Sequence, residues 1–255
     1  MNELVITLII VCPLVFLAAF IDAVAGGGGL ISLPAYLLAG LPAHMAMGTN
    51  KLVASTGTVI AAVEYLRKGK LMVKIAVFSA VGAAIGGGLG SKMALIIPED
   101  KLTLLIVVAL PIVAVFLITQ KNLGSDESVP FEMSFFKQTL FALSIGIFIG
   151  FYDGLVGPGT GTFMIIAFAK LFNMDLVTCS GCAKLSNLAS NVASAIIFMI
   201  AGEVMWIIVI PAAACSMIGG IMGAKYAIKG GSKNVRKLIF VVIGLLFIKF
   251  IIELI

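Results

Sequence analysis

The sequence has little charge, one histidine and one tryptophan. Only 11% of its 255 residues are Asp, Glu, Lys or Arg, whereas soluble domains carry about 25%. These polar groups are too few to cover the water-facing surface of a soluble protein of this length. The composition therefore excludes a soluble enzyme, a disordered tail and a nucleic-acid-binding domain, and it predicts no nucleic-acid partner.

Long apolar runs take the place of the missing charge. Hydrophobic residues make up 61% of the chain, and a membrane-spanning helix needs about 20 of them in a row. The first run is flanked by Glu3 and lacks the basic flank of a secretory signal, so we expect a permanent helix there. The chain therefore predicts an all-α, multi-pass integral membrane protein in contact with the lipid bilayer. The long runs cover residues 4–20, 45–65, 71–90, 102–119, 139–152, 178–201, 205–225 and 238–252.

Two shorter apolar runs each follow a glycine-rich break. Residues 30–41 follow the glycines at 26–29, and residues 161–172 follow the Gly-Pro-Gly at 157–159. About 12–14 residues at 1.5 Å each do not cover a 30 Å hydrocarbon core. We expect broken or half-helices that line a cavity or are supported by neighbouring helices. The eight long runs alone, or ten segments when the short ones are counted as crossings, predict 8–10 membrane segments, and we expect ten.

The chain also resembles itself at an offset of 131–133 residues. Residues 20–26 lie over 151–157, and Lys51 lies over Lys184. Each half contains, in order, one long apolar run, one short run and three further long runs. Paired halves with short, glycine-interrupted segments at matching positions are typical of transporters.

This pattern predicts two repeats and their orientation. The first repeat covers residues 1–119, a hydrophilic linker covers 120–136, and the second repeat covers 137–255. The loop at 67–74 is basic, whereas its counterpart at 201–203 has no cation. Basic loops face the cytoplasm, so equivalent loops lie on opposite sides and the repeats have inverted topology. About five segments per repeat then place both termini outside the cytoplasm.

Three motifs in the first half resemble one family. The run FIDAVAGGGGLISLP at 20–34, AGLPAH at 39–44 and GTNK at 48–51 are similar to the TauE/SafE sulfite exporter family, in the branch with the Gly-Thr-Asn-Lys signature. The resemblance implies an inner-membrane (plasma-membrane) carrier for sulfite, sulfoacetate or another organosulfur anion. The second half departs from these motifs, with GPGTG at 157–161 and GCAK at 181–184.

Two lysines inside apolar runs are the sharpest candidates for a binding site. Lys51 and Lys184 would each cost about 2.5–3.5 kcal/mol at mid-membrane, so such residues usually face a wet cavity or a partner. One reading is that they attract a sulfite or sulfonate as point charges. The other is that each pairs with Asp22 or Asp153 and only clamps helices, or extends its amine to an interface.

Further candidates surround these lysines. A helix that restarts after a glycine break presents free N–H groups and its positive dipole end, which suit an anion, although a tight turn explains such a break equally well. Asp22, Asp153 and the single His44 are candidates for coupling or gating. The remaining predicted substrate-binding residues are Thr49, Asn50, Asn187, Asn191, Gly27, Gly28, Gly29, Gly159, Thr160 and Gly161.

These observations predict a secondary transporter that exports a small sulfur-containing anion by alternating access, and not an enzyme. A passive anion channel is the alternative. An integral-membrane redox protein that uses the C-x-x-C pair Cys179 and Cys182 is a weaker one, because no second cysteine pair or metal-spaced histidine accompanies it. No metal and no cofactor are predicted. Gly-x-x-x-Gly spacing serves packing within one chain or between copies, so a homo-oligomer stays open.

Overall fold

All regular structure in the described residues is α-helical, which confirms the predicted all-α class. The computed structural model of the protein describes residues 3–118 and 130–254, with side chains over 7–109, 112–113 and 130–238. The helices are α1 (Glu3–Ala25), α2 (Gly29–Leu38), α3 (Ala43–Arg67), α4 (Val73–Ile96), α5 (Glu99–Ile118), α6 (Phe135–Leu155), α7 (Thr160–Phe172), α8 (Leu176–Ile200) and α9 (Trp206–Leu254).

Two boundaries refine the predicted segments. The final stretch α9 is divided at Gly231, whose φ of 63° and ψ of −163° are not helical. The predicted linker 120–136 lies mostly outside the described residues, which resume at Pro130 as irregular chain before α6 begins at Phe135.

The short helices α2 and α7 begin after glycines that adopt left-handed backbone angles. Gly26 has a φ of +77°, and Gly157 and Gly159 have φ values of +95° and +80°. Glycine adopts this region without the steric penalty that a Cβ imposes, so the chain can leave one helix and start the next within a few residues. With 10 and 13 residues, the two helices are about 15 and 20 Å long.

Small residues allow the long helices to approach closely. Helix α4 packs along α6 and α8, and α9 packs along α1 and α3. A Cβ added at Gly82, Gly86 or Gly90 would collide with the backbone of α6, and one at Gly219 or Gly223 would collide with that of α1. Such contacts between helix backbones are the usual way in which helices associate in membranes.

The outer surface of the bundle is apolar. Along α4 the exposed residues Val77, Val81, Ile85 and Leu89 follow the i, i+4 spacing of one helix face. A large apolar face suits lipid and not water. Within residues 7–109, 112–113 and 130–238, five stretches are long and apolar enough to cross a membrane: Thr7–Ala25, Val73–Ile96, Phe135–Leu155, Leu176–Ile200 and Trp206–Leu238.

Candidate functional site

The two glycine-rich breaks lie against each other. A Cβ on Gly26 would collide with the backbone of Gly161, and one on Gly161 would collide with that of Gly26. The hydroxyl of Thr162 donates to the carbonyl of Ala25 at 2.7 Å. The end of α1 and the first turn of α7 are therefore held close together, although more than 130 residues separate them along the chain.

Hydroxyl groups from three other helices cap the end of α1. The carbonyls of a helix's last turn have no partner within the helix. Those of residues 23–25 accept hydrogen bonds from Tyr65 on α3 (2.9 Å), Ser180 on α8 (3.0 Å) and Thr162 on α7 (2.7 Å). The break is thus a fixed piece of structure and not a loose turn.

Each buried lysine forms an ion pair with the carboxylate that precedes the opposite break. Lys51 Nζ lies 2.7 Å from Asp153 Oδ2, and Lys184 Nζ lies 2.6 Å from Asp22 Oδ2. Lys184 Nζ also donates to the backbone carbonyl of Asp22 at 2.6 Å, and Ser190 Oγ donates to Asp153 Oδ2 at 2.6 Å. The lysine of α3 therefore binds α6, and the lysine of α8 binds α1.

Both lysines are removed from bulk solvent. Lys51 is 3% exposed and Lys184 is 0% exposed. Removing one partner of a buried ion pair leaves an uncompensated charge and destabilises a protein by about 3–5 kcal/mol. The pairing thus explains how an apolar helix accommodates a cation.

A cavity lies between the breaks and α3. Its atom-free volume is about 720 Å³, which includes space open to solvent. Asp22, Lys51 and Asp153 are the charged residues on its wall, whereas Lys184 lies behind Asp22. The uncharged polar side chains on the wall are Ser32, Asn50, Thr58, Thr160, Asn187, Asn191 and Ser216.

The fold brings most of the predicted site residues to this wall. The helix α3 contributes Asn50 and Lys51, and α8 contributes Asn187 and Asn191, whose amides hydrogen-bond to each other. The predicted residues that line the cavity are Asp22, Gly28, Gly29, Asn50, Lys51, Asp153, Thr160, Asn187 and Asn191. The predicted residues away from the wall are Gly27, His44, Thr49, Gly159, Gly161 and Lys184.

Thr49 and His44 have structural contacts away from the cavity. Thr49 Oγ1 accepts a hydrogen bond from the backbone N–H of Met205 at 2.9 Å, which ties α3 to the start of α9. The His44 ring contacts Glu99 Oε2 at 2.5 Å and the carbonyl of Ala94 at 3.1 Å. Glu99 also accepts from the N–H of Ala43, so the imidazole and the carboxylate together hold the start of α3.

Several wall or supporting residues lie outside the predicted set, among them the wall residues Ser32 and Thr58 and three residues from other helices. Ser190 hydrogen-bonds Asp153, Ser216 brings a hydroxyl from α9 to the wall, and Tyr152 donates to the carbonyl of Pro158 at 2.7 Å. Each is a polar side chain within or beside an apolar run. That signal is too common in membrane helices to single out one residue without the packing.

The C-x-x-C pair is buried in helix packing. Cys179 and Cys182 are each 0% exposed and are free thiols. Their Sγ atoms donate to the carbonyls of Met174 at 3.5 Å and Met72 at 3.8 Å. Neither residue lines the cavity. In the part of the chain with described side chains, no group of three or more His, Cys, Asp or Glu residues is placed to hold a metal.

The family model described as "Sulfite exporter TauE/SafE" matches residues 11–250. The chain belongs to the TauE/SafE family. This confirms the resemblance seen in the first-half motifs, and it assigns the chain to a family of membrane transporters. Together with the five apolar stretches, membership makes the chain a multi-pass membrane protein.

Curated TauE/SafE relatives cover nearly all of the chain. A "Probable membrane transporter protein" of Haemophilus influenzae is 38% identical over 230 residues, 89% of this chain and 87% of the relative. "Probable membrane transporter protein ORF9" of Sinorhizobium sp is 34% identical over 227 residues, 89% and 85% of the two chains. YfcA of Escherichia coli K12, also named a probable membrane transporter, is 29% identical over 226 residues, 89% and 82% of the two chains. No solved structure matches the chain.

Proposed function

We propose that this TauE/SafE protein is a secondary carrier that exports a small sulfur-containing anion, of the sulfite or organosulfonate class, by alternating access. The observation that carries the proposal is the position of Lys51, a buried amine on the wall of a cavity within an apolar bundle. Intramembrane cations on such walls usually mark a solute path. The family description supports the choice of a sulfur oxyanion.

The chemistry of the wall suits an oxyanion. Lys51 supplies an ammonium point charge, and Asn50, Asn187 and Asn191 supply amide N–H donors. Sulfite and sulfonate oxygens accept from both kinds of group. In the structure this amine is already paired with Asp153, whose Oδ2 lies 2.7 Å from Lys51 Nζ. The proposed binding step is therefore an exchange, in which a solute oxygen takes over part of the bonding that the carboxylate now provides.

We also propose that the chain consists of two inverted repeats, 1–119 and 137–255, joined by the linker. Contacts that recur at the sequence offset support this. Gly48 packs on the carbonyl of Glu203, and Gly181 packs on the carbonyl of Lys70. Adding 133 to positions 48 and 70 yields 181 and 203. If a pseudo-twofold axis relates the two halves, residues that touch across the halves have counterparts that also touch, as these two contacts do.

Further contacts follow the same exchange. Lys51 pairs with Asp153, and Lys184 pairs with Asp22. The two lysines are 133 positions apart along the sequence, and the two carboxylates are 131 positions apart. The helix α4 packs on α6 and α8, while α9, its counterpart in the second half, packs on α1 and α3. Rocking of two such halves about the shared breaks provides a physical route to alternating access.

The proposed orientation places both termini outside the cytoplasm of the cell inner (plasma) membrane. It is supported by the basic loop at 67–74 and the basic stretch at 225–237, which then share the cytoplasmic side. Single cysteines introduced at Lys70 and Glu203 in a cysteine-free background report directly which side of the membrane each position faces. Labelling of both positions by an impermeant maleimide from the same side would contradict the inverted arrangement.

Transport in proteoliposomes tests the function. The double variant Lys51→Met/Asp153→Asn removes both charges together, so no unpaired ion remains and folding is expected to survive. We expect it to lose sulfite and sulfoacetate flux, while the matched control Lys92→Ala, which removes an exposed lysine of α4, retains it. Full flux through the double variant would remove Lys51 from the solute path and with it the proposal.

Kinetics distinguish a carrier from the alternative of a channel. A carrier saturates with solute concentration and accelerates exchange of labelled for unlabelled solute. A channel conducts unitary currents that single-channel recording resolves. Unitary sulfite currents from the reconstituted protein would contradict alternating access and show passive conduction.

A further inference from the structure

The charges on the cavity wall do not favour an anion as the structure stands. Asp22 and Asp153 bring two carboxylates to the wall, and Lys51 brings one ammonium. The second ammonium, Lys184, lies fully buried behind Asp22 and makes the four charges sum to zero. An ionised carboxylate only accepts hydrogen bonds. Among the charged groups of the wall, a solute anion thus meets two carboxylates that repel it and one ammonium that attracts it.

The two carboxylates differ in their freedom to take up a proton. Asp153 is 2% exposed, and both Lys51 and Ser190 bind its Oδ2. The side chain of Asp22 is 19% exposed, on the cavity side. Lys184 has a second acceptor in the backbone carbonyl of Asp22 at 2.6 Å. Protonation of Asp22 would therefore leave Lys184 with a hydrogen-bond partner at the negative end of the α1 dipole.

The other groups around Asp22 come from every helix packed on α1. The helix α3 brings Lys51 to the same cavity wall, and it brings Tyr65, whose hydroxyl donates to the carbonyl of Ala23 at 2.9 Å. The helix α8 brings Lys184. Across the cavity α6 brings Asp153. The polar groups that α2, α7 and α9 bring to the wall are uncharged hydroxyls, namely Ser32, Thr160 and Ser216.

We propose that the solute anion binds together with one proton, which Asp22 holds. This inference rests on the proposed carrier function. A protonated Asp22 becomes an O–H donor toward the anion instead of an acceptor that repels it. The charge of Lys184, no longer neutralised by Asp22, then adds to that of Lys51. With a bound monoanion, the two lysines, Asp153 and the solute again sum to zero.

Release reverses these changes. When the proton leaves Asp22, the carboxylate re-forms its pair with Lys184 and the site again repels the anion, which speeds its departure. A monoanion that moves with a proton carries no net charge, so the membrane potential does not drive it. Net flow follows the gradients of proton and anion together. Export then requires the anion to be more concentrated inside, as when metabolism produces it there.

Methanesulfonate is a suitable probe because it stays ionised across the usable pH range and carries no proton itself. In proteoliposomes of the wild-type protein, an inward gradient of one pH unit should accumulate labelled methanesulfonate about tenfold, since one pH unit is a factor of ten in an equilibrium constant. A potassium–valinomycin potential of either sign should leave the final level unchanged. Calorimetry of binding in two buffers of different ionisation enthalpy should give about one proton taken up per anion.

The variant Asp22→Asn keeps the shape of the side chain but cannot titrate. We expect it to exchange labelled for unlabelled methanesulfonate and to lose the tenfold accumulation, whereas the control Lys92→Ala, at an exposed lysine of α4, keeps the accumulation. Accumulation by Asp22→Asn would overturn the assignment to Asp22. If Asp22→Asn fails to fold, the wild-type calorimetry decides, because binding with no proton uptake would overturn the proposal.

The failures of the two proposals are distinguishable. Wild-type flux that follows the membrane potential and ignores the pH gradient would overturn proton coupling and leave the carrier function standing. A wild-type protein that neither binds nor moves sulfite or any sulfonate would overturn the carrier function, and this inference with it.

Discussion

The two buried lysine–carboxylate pairs have the same sequence context but different surroundings. In the pair of Lys51 and Asp153 both partners face the cavity, and the amine has the carboxylate as its partner. In the pair of Lys184 and Asp22 the amine is sealed and also holds a backbone carbonyl at the end of α1. One lysine is thus placed to meet a solute, and the other fixes the helix end that carries a cavity carboxylate.

The residues beside the lysines follow the same division. Asn50, next to Lys51, lines the cavity, whereas Ala183, next to Lys184, is 0% exposed inside the helix packing. The GTNK and GCAK motifs therefore differ where contact with the cavity differs. A sequence repeat need not repeat a function, because each copy sits in a different environment once the halves have packed together.

Removing one lysine at a time is the strongest way to test this difference. Lys51→Met leaves Asp153 without its ammonium partner at 2% exposure, and we expect a loss of about 3–5 kcal/mol in unfolding free energy. Lys184→Met leaves Asp22, whose side chain is 19% exposed to the cavity and can be hydrated, so its loss should be smaller. Unfolding in mixed detergent measures both. A greater loss for Lys184→Met would show that capping α1 matters more than burying an unpaired carboxylate.

A smaller effect is expected from the hydroxyl that supports the Lys51 pair. Ser190→Ala removes a 2.6 Å hydrogen bond to Asp153 and should cost about 1.5–3 kcal/mol, the range for bonds to charged groups. The matched control is Ser186→Ala on the same helix, equally buried, whose hydroxyl bonds only the carbonyl of Cys182 at 3.2 Å. We expect about 1 kcal/mol there. Equal losses in thermal unfolding would mean that Asp153 does not depend on Ser190.

The smallest effect concerns the residues two positions before the lysines. Thr49 accepts from the N–H of Met205 at 2.9 Å, and Cys182 donates weakly to the carbonyl of Met72 at 3.8 Å. Thr49→Val removes this hydrogen bond to a partly buried N–H and should cost about 0.5–1.5 kcal/mol. Cys182→Ala should cost less and retain sulfite transport. Loss of transport in Cys182→Ala with its fold intact would revive the redox reading of the C-x-x-C pair.

Local sequence signals determined the elements of the fold. Hydrophobic runs located the helices to within a few residues, as in 45–65 for α3 (Ala43–Arg67), and the glycine breaks located the starts of α2 and α7. These features depend on burial of apolar side chains in lipid and on glycine's backbone freedom, both of which act within a short stretch of chain. Helix ends extend beyond the runs because polar residues there still complete the last helical turn.

The sequence also named the four charged residues, but it left their partners and their roles open. Only the tertiary structure decided that Lys51 pairs with Asp153 and Lys184 with Asp22, and that one amine faces the cavity while the other is sealed behind a carboxylate. Each pair joins residues more than 100 positions apart. The electrostatic surroundings of a side chain are set by whichever helices pack around it, and no local pattern contains that information.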